Sequence, residues 1–201
     1  PITFVLKKKK KSKISKIALA GKKTLAIRIP KHKVAKKLLN IIKSPLAAPS
    51  ANISTKLSPT SAKDVFEEFG NKINLILDGG QCKFGIESTI IDLTKKPCIL
   101  RPGVITLKKI QKVLKKKVDF TKNVKSIKAP GQLKFHYSPG IPVKMNKNYA
   151  QKNQALIGFG KKFSGKKNCF NLSKKGSLKE AANNLYKTMR KIKKDNFKSI
   201  A

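Results

Sequence analysis

The sequence predicts a mixed α/β protein, because stretches typical of strands alternate with stretches typical of helices. Thr24 to Ile29 alternates polar and apolar residues and ends at Pro30, as a half-buried strand does. Val34, Leu38 and Ile42 recur at helical spacing. Some connections are short enough for hairpins and others long enough for crossovers. We therefore expect a twisted sheet with parallel and antiparallel neighbours, flanked by helices.

The predicted strands are short apolar runs bounded by charged residues, prolines or glycines. The first contains Pro1 to Leu6 and precedes a lysine run, and a buried strand is expected between Pro45 and Pro49. In chain order, strands are predicted at residues 1–6, 24–29, 46–48, 73–77, 90–93, 98–100 and 155–159.

The predicted helices combine an apolar stripe with a start or stop signal. Ser61 and Ser177 are each followed three residues later by an acidic residue, which is the capping-box pattern, and Gly70 lies where a helix C-cap belongs. Thr106 is a candidate N-cap for the third helix. Helices are predicted at residues 33–42, 61–69, 107–114 and from 178 onward.

The chain is predicted to divide into three parts. Residues 1–118 form the first α/β domain, and residues 119–150, rich in Lys, Asn, Pro and Gly, form a linker. Residues 151–201 are expected to begin a small α/β domain, since one strand, a glycine loop and one helix do not complete a domain. Within the linker, the run from Pro130 to Pro139 contains Phe135, His136 and Tyr137, a combination unlike that of an idle spacer.

Lysine dominates the charge of the chain. The 201 residues include 48 Lys and Arg against 9 Asp and Glu, a formal net charge of +39, and only Arg28, Arg101 and Arg190 are arginines. Lysines occupy every segment, which is more typical of a compositional bias than of a dedicated nucleic-acid surface, although non-specific RNA affinity would follow in either case. In such a chain, an arginine within a motif is a candidate functional residue.

Three cysteines without a close pair, Cys82, Cys98 and Cys169, predict neither a disulfide framework nor a zinc site. Their presence fits a reducing cytoplasm. No apolar run reaches the roughly 18 residues that a membrane span requires, so no membrane partner is expected.

The most informative segment is Ser44 to Thr60, where small hydroxyl and amide residues surround prolines just before a helix. Ser50 and Ser58 could donate to phosphate oxygens beside the helix N-terminus, so the segment is a candidate nucleotide-binding loop. The alternative interpretation is that Ser58, Thr60 and Ser61 only cap the helix.

Six segments in this order resemble the YrdC-like threonylcarbamoyl-AMP synthases in their two-domain form: SPLAAPSAN, LSPT, LDGG, GIESTIIDL, LRPG and HYSP. The resemblance implies an enzyme that makes threonylcarbamoyl-adenylate and pyrophosphate from ATP, L-threonine and bicarbonate. It further implies Mg²⁺ bound with ATP, and a tRNA-modifying transferase complex that transfers the product to the adenosine beside the anticodon.

The resemblance also implies roles for ten residues. Arg28, Ala48 and Ser88 match threonine-contacting positions. Thr24, Ser50, Ser58 and Arg101 match ATP-contacting positions, Asn52 is a candidate for phosphate or metal-bound water, and His136 and Tyr137 would form a lid over the nucleotide. No catalytic side chain and no protein metal ligand is implied. Glu87 is interpreted as a structural ion-pair partner.

The resemblance begins partway through the family's first domain and stops after one helix of the second, which it implies to be a small Rossmann-like α/β domain at residues 151–201. We therefore expect a truncated chain that is weakly stable and poorly active alone. Two alternatives stay open: the carbamoyl-adenylate chemistry of hydrogenase maturation proteins, and an RNA-binding module without full catalysis.

Overall fold

The computed structural model describes residues 2–121 and 137–201. They fall into two compact units. The first contains the described residues of Pro1–Pro49 and Glu87–Lys134, and the second contains those of Ser50–Ile86 and Phe135–Ala201. The division predicted near residues 118 and 150 stays a prediction.

The first unit is built on a five-stranded mixed sheet in the order β2-β1-β3-β4-β5. Neighbours β1 and β2 are antiparallel, as are β3 and β4, whereas β1 with β3 and β4 with β5 are parallel. The strands are β1 (Thr3–Lys7), β2 (Thr24–Arg28), β3 (Ile90–Asp92), β4 (Cys98–Arg101) and β5 (Asp119–Phe120).

Two helices belong to the first unit, α1 (Lys33–Ile42) and α3 (Leu107–Leu114). Helix α3 covers the sheet because Ile110 packs into a buried cluster with Ile91, Ile99 and Val118. This cluster lies beneath the central strands β3 and β4, so the position of those strands depends on it.

The second unit contains a three-stranded parallel sheet in the order β7-β6-β8, formed by β6 (Gln154–Gly158), β7 (Cys169–Asn171) and β8 (Ser199–Ile200). Helix α4 (Leu178–Lys194) places Ile192 in a fully buried cluster with Ala155 and Ile200. Helix α2 (Ala62–Phe69) belongs to the same unit. Short 3₁₀ turns occur at Ile17–Leu19, Gly70–Lys72 and Lys161–Phe163.

The mixed α/β class with a parallel and antiparallel sheet is confirmed, and all four predicted helices form. The residues predicted to cap these helices also lie at the helix ends. Ser61 accepts a hydrogen bond from the Asp64 backbone N–H, Ser177 accepts one from Glu180, and Gly70 caps α2 with a φ of 52°. Thr106 occupies the N-cap of α3 without a side-chain hydrogen bond.

Two predicted strands are wrong. Residues 46–48 form no strand, and Leu46 is 50% exposed. Residues 73–77 are also outside any ladder, and Leu75 is 75% exposed. An apolar run becomes a strand only when a neighbouring strand offers hydrogen bonds, and Pro45 and Pro49 leave a very short segment between them. The short strands β5, β7 and β8 were not predicted from the sequence.

The buried face of α3 predicts that substitutions at two positions on this helix change the stability by different amounts. Ile110 is 6% exposed and Val113 is 80% exposed. We expect Ile110→Ala to lower the free energy of unfolding by about 2–5 kcal/mol because it leaves a cavity in the cluster. Val113→Ala is the control and should change it by less than about 0.5 kcal/mol. Urea unfolding of both variants measures the difference, and equal values would contradict the packing described here.

Candidate functional site

The first candidate site begins where β1 and β2 pair. Their antiparallel register places Thr3 directly opposite Arg28, so the two side chains share a face of the sheet. The Arg28 Nε donates to Thr3 Oγ1 at 2.8 Å. Thr24 lies on the same face of β2 as Arg28, since the two are four residues apart along the strand.

Arg101 joins this cluster from the end of β4. Its Nε donates to the Ser88 carbonyl oxygen at 3.0 Å and its Nη2 to Ser88 Oγ at 3.4 Å. Ser88 Oγ in turn lies 3.4 Å from Thr3 Oγ1. The cluster therefore connects Arg28, Thr3, Ser88 and Arg101, which come from four separate stretches of sequence.

The charges of this arginine cluster do not balance. Arg101 Nη2 lies 3.4 Å from Glu87 Oε2. Burial lowers the pKa of the Arg28 guanidinium and the Arg101 cation lowers it further, while Glu87 acts in the opposite direction. Two guanidinium groups therefore lie near one carboxylate, which forms an ion pair with Arg101, and an incoming anion would compensate the remaining positive charge.

Gly103 is required for this geometry. A Cβ at Gly103 would lie 2.4 Å from the Thr89 backbone nitrogen and 2.6 Å from the Glu87 carbonyl oxygen. Those are backbone atoms, which cannot move aside as a flexible side chain would. The close approach fixes the segment 87–89 that carries Ser88.

The second candidate site is the serine loop, defined here as residues 50–58. Asn52 Nδ2 donates to the carbonyl oxygens of Ile53 at 2.9 Å and Lys56 at 3.2 Å. Ser50 is exposed, whereas Ser58 is partly buried and follows Leu57, which is 3% exposed. The loop therefore has its own internal hydrogen bonds and one buried anchor.

At the N-terminus of α2, Thr60 and Ser61 act as capping residues. Thr60 donates to Asp64 Oδ2 through its backbone N–H at 2.8 Å and its Oγ1 at 2.9 Å. Burial acts to raise the pKa of the Asp64 carboxyl. The hydrogen bonds from Thr60, the positive charge of Arg190 and the hydrogen bond with Ser61 act in the opposite direction and outweigh burial, so the pKa is lowered. The capping interpretation is therefore confirmed for Thr60 and Ser61, and a role of Ser58 at phosphate stays a prediction.

The remaining predicted residues are spread over both units. Ala48 lies on an exposed, irregular stretch of the first unit. Tyr137 lies in the second unit with a φ of 56°, and its ring stacks on that of Tyr186 at 5.6 Å between centroids. His136 falls outside the described residues. The arginine cluster thus brings together Arg28, Ser88 and Arg101, while Ser50, Asn52, Ser58 and Tyr137 belong to the other unit.

Sequence reasoning missed Thr3, which bonds to Arg28, and set aside Glu87 as an ion-pair partner, a pairing that the structure confirms. Strand register determines that Thr3 faces Arg28. The long connection between β1 and β2 does not specify that register, so no local signal could have identified Thr3.

Within residues 2–121 and 137–201, no group of three or more His, Cys, Asp or Glu side chains is arranged to hold a metal ion. None of the helices in these same ranges is both long and apolar enough to cross a membrane.

The chain that carries this fold and this arginine cluster can be compared with known proteins. A family model of the Sua5/YciO/YrdC proteins, described as "Telomere recombination", matches residues 1–103. A second model, described as the C-terminal domain of threonylcarbamoyl-AMP synthase, matches residues 105–201. The chain belongs to the Sua5/YciO/YrdC family.

Curated relatives carry the name threonylcarbamoyl-AMP synthase. The Pyrococcus abyssi protein is 44% identical over 148 residues, which cover 71% of this chain and 43% of the relative. The Schizosaccharomyces pombe protein is 45% identical over 148 residues, 69% of this chain and 36% of the relative. The chain thus spans about two fifths of the length of these relatives.

A solved structure is also similar. The crystal structure of P. abyssi Sua5 complexed with L-threonine superimposes with a TM-score of 0.82 at 33% identity, covering 99% of this chain and 63% of that one. A variant of the same protein, in which a histidine and the adjacent tyrosine are replaced by alanine, gives a TM-score of 0.79 at 32% identity, with 99% of this chain and 62% of that one covered.

The close approach at Gly103 predicts that Gly103→Ala displaces segment 87–89. We expect a lower melting temperature and shifted backbone amide resonances at Ser88 and Thr89, since the new methyl group overlaps backbone atoms. Pro102→Ala changes the exposed neighbouring residue and should leave those resonances in place. Unchanged Ser88 and Thr89 resonances in Gly103→Ala would contradict the geometry.

The lowered pKa of Asp64 predicts how stability changes in acid. A carboxyl with a lower pKa in the folded than in the unfolded chain stabilises the fold above the unfolded value of about 3.9, and this contribution is lost as the pH falls through the folded value. We therefore expect Asp64→Asn to flatten the fall in unfolding free energy below about pH 4. Asp195→Asn, at the exposed end of α4, is the control. Urea unfolding at a series of pH values from 7 into the acid range measures how the free energy of unfolding changes with pH. If this free energy falls as steeply in Asp64→Asn as in wild type, the prediction is wrong.

Proposed function

We propose that this protein is a nucleotidyltransferase that makes threonylcarbamoyl-adenylate and pyrophosphate from ATP, L-threonine and bicarbonate. The observation that carries the proposal is the arginine cluster, in which Arg101 pairs with Glu87 and Arg28, bonded to Thr3, lies close enough to Arg101 for that cation to lower its pKa. Membership of the family and the names of the curated relatives support the same activity.

In this proposal, the arginine cluster receives threonine. The guanidinium of Arg28 pairs with the threonine carboxylate, which compensates the unbalanced positive charge. The Ser88 hydroxyl and the Ala48 carbonyl hold the threonine side chain and amine. The P. abyssi relative that was solved with L-threonine supports this choice of substrate.

ATP is assigned to the serine loop and to the residues that match ATP-contacting positions. Ser50 and Ser58 donate to phosphate oxygens, with Asn52 close by, and Thr24 and Arg101 add contacts. His136 and Tyr137 lie over the nucleotide in this proposal. They form the only His-Tyr pair in the sequence, and a His-Tyr pair is what was replaced in the P. abyssi variant.

The proposed reaction is an adenylyl transfer. The threonine amine forms a carbamate, either with carbon dioxide and release of a proton or with bicarbonate and release of water. A carbamate oxygen then attacks the α-phosphorus of ATP. The bond to the bridging oxygen breaks and pyrophosphate leaves with that electron pair. The chain contributes position and positive charge rather than a nucleophile. Mg²⁺ enters with ATP as part of the substrate and neutralises the phosphates.

The proposal also concerns the cellular partners and the compartment of the protein. The product would serve a tRNA-modifying transferase complex, and the free cysteines and this role in tRNA modification fit the cytoplasm. Direct RNA binding through the lysine excess is a further proposal. The comparisons favour neither the hydrogenase-maturation chemistry nor a purely RNA-binding module.

Pyrophosphate release tests the function, using protein from the complete reading frame that contains these residues. We expect release that requires both threonine and bicarbonate. Arg28→Gln should raise the KM for threonine at least about tenfold, since it removes a charged hydrogen-bond donor. Lys31→Gln removes the same charge from an exposed neighbouring residue and should change that KM less than about twofold.

No threonine-dependent release from the folded wild-type protein would refute the activity. If the two substitutions raised the KM equally, the assignment of Arg28 to threonine would be wrong and a general charge effect would explain both.

A further inference from the structure

Helix α4 holds the serine loop through one arginine. Arg190 Nη2 donates to the carbonyl oxygen of Leu57 at 2.6 Å and also contacts Glu68 Oε2 at 3.1 Å. The other oxygen of the same carboxylate, Glu68 Oε1, accepts the backbone N–H of Ile53 at 2.6 Å. Arg190 therefore reaches the loop at two points, directly at Leu57 and through Glu68 at Ile53.

The ion pair within this connection is largely shielded from water, whereas Ile53 is 41% exposed. The Glu68 side chain is 6% exposed and that of Arg190 is 18% exposed. A charge pair in such surroundings is screened much less than a surface pair, and loss of one member leaves the other charge buried and uncompensated. The conformation of the loop is therefore tightly coupled to the presence of the arginine.

The loop adopts a conformation that it would not favour alone. Thr55 has a φ of 74°, in the left-handed region that a β-branched residue rarely occupies. Its carbonyl oxygen accepts the backbone N–H of Ser138 at 2.9 Å. Strain of this kind persists only where the surrounding structure imposes it. Here Ser138 holds the middle of the loop, while Arg190 and Glu68 hold its flanks.

We propose that Arg190 is a positioning residue for ATP: it holds the serine loop in the shape that presents the Ser50 and Ser58 hydroxyl groups to the phosphates. This inference rests on the proposed function, because the loop is the ATP site only in that proposal. It assigns to helix α4, which lies late in the chain, a part in nucleotide binding that involves no contact with the nucleotide.

A second ion pair between the same two helices serves as the comparison. Lys194 Nζ lies 2.7 Å from Glu67 Oε2, and these side chains are 58% and 33% exposed. In the part of the chain that the structure describes, these two side chains bond to each other and not to residues 50–58. Loss of this pair loosens the contact between α2 and α4 without releasing the loop.

The test compares Arg190→Met with Lys194→Met in protein from the complete reading frame. We expect Arg190→Met to raise the KM for ATP at least about tenfold while the KM for threonine changes less than about twofold. Lys194→Met should leave both values within about twofold of wild type. Arg190→Lys keeps the charge and one donor group, so it should restore part of the ATP affinity.

Hydrogen exchange supplies a readout that does not depend on turnover. The Ile53 amide donates to Glu68, so Arg190→Met should increase exchange in the peptide that spans residues 50–58, and Lys194→Met should not. If Arg190→Met does not fold, Glu68→Gln is used instead. It keeps the side-chain shape, removes the charge opposite Arg190, and should change the KM for ATP in the same direction.

The outcomes separate the two proposals. Equal losses for ATP and threonine, or equal effects of Arg190→Met and Lys194→Met, would refute positioning and leave Arg190 a structural residue. If wild type shows no threonine-dependent pyrophosphate release, the proposed function is wrong. Calorimetric titration with ATP and the exchange experiment then decide the inference. Unchanged ATP affinity and unchanged exchange in Arg190→Met would refute it, and weaker ATP binding together with faster exchange in residues 50–58 would support it.

Discussion

The need to satisfy the guanidinium of Arg101 constrains the first unit. Arg101 is 8% exposed, so its donors must find acceptors within the protein, and they do so at the Ser88 backbone, the Ser88 hydroxyl and Glu87. Segment 87–89 is thereby fixed, and the backbone of Thr89 then accepts the Thr3 N–H at 2.9 Å. Thr3 holds Arg28 in turn. The buried Arg101 cation is thus connected to Arg28 through Ser88 and Thr3.

The second unit uses an arginine in a related way. Arg190, whose side chain is 18% exposed, links α4 to the serine loop and to Glu68. The chain uses lysine for nearly all of its positive charge, yet its three arginines all lie in hydrogen-bonded positions: Arg28, Arg101 and Arg190. A guanidinium offers five donors in a rigid plane and is weakly hydrated, so it can satisfy several acceptors at once where a flexible, strongly hydrated ammonium cannot.

This arrangement suits the chemistry that we propose. An adenylyl transfer between bound substrates requires positioned groups and compensating charge rather than a protein nucleophile. The first unit offers unbalanced positive charge beside hydroxyl groups, and the second offers a strained loop that its neighbours hold in shape. In both units, an arginine side chain donates to a backbone carbonyl oxygen that is distant along the sequence.

The sequence by itself determined the helices and their caps, because periodicity and the bonds of Ser61 and Ser177 act within a few residues. Its motifs also led to the family and to three members of the arginine cluster. Only the tertiary structure decided that residues 46–48 and 73–77 form no strand, that Thr3 faces Arg28, and that Arg190 holds the serine loop. Strand pairing and buried ion pairs join residues that are distant along the chain, so their partners cannot be determined from the local sequence.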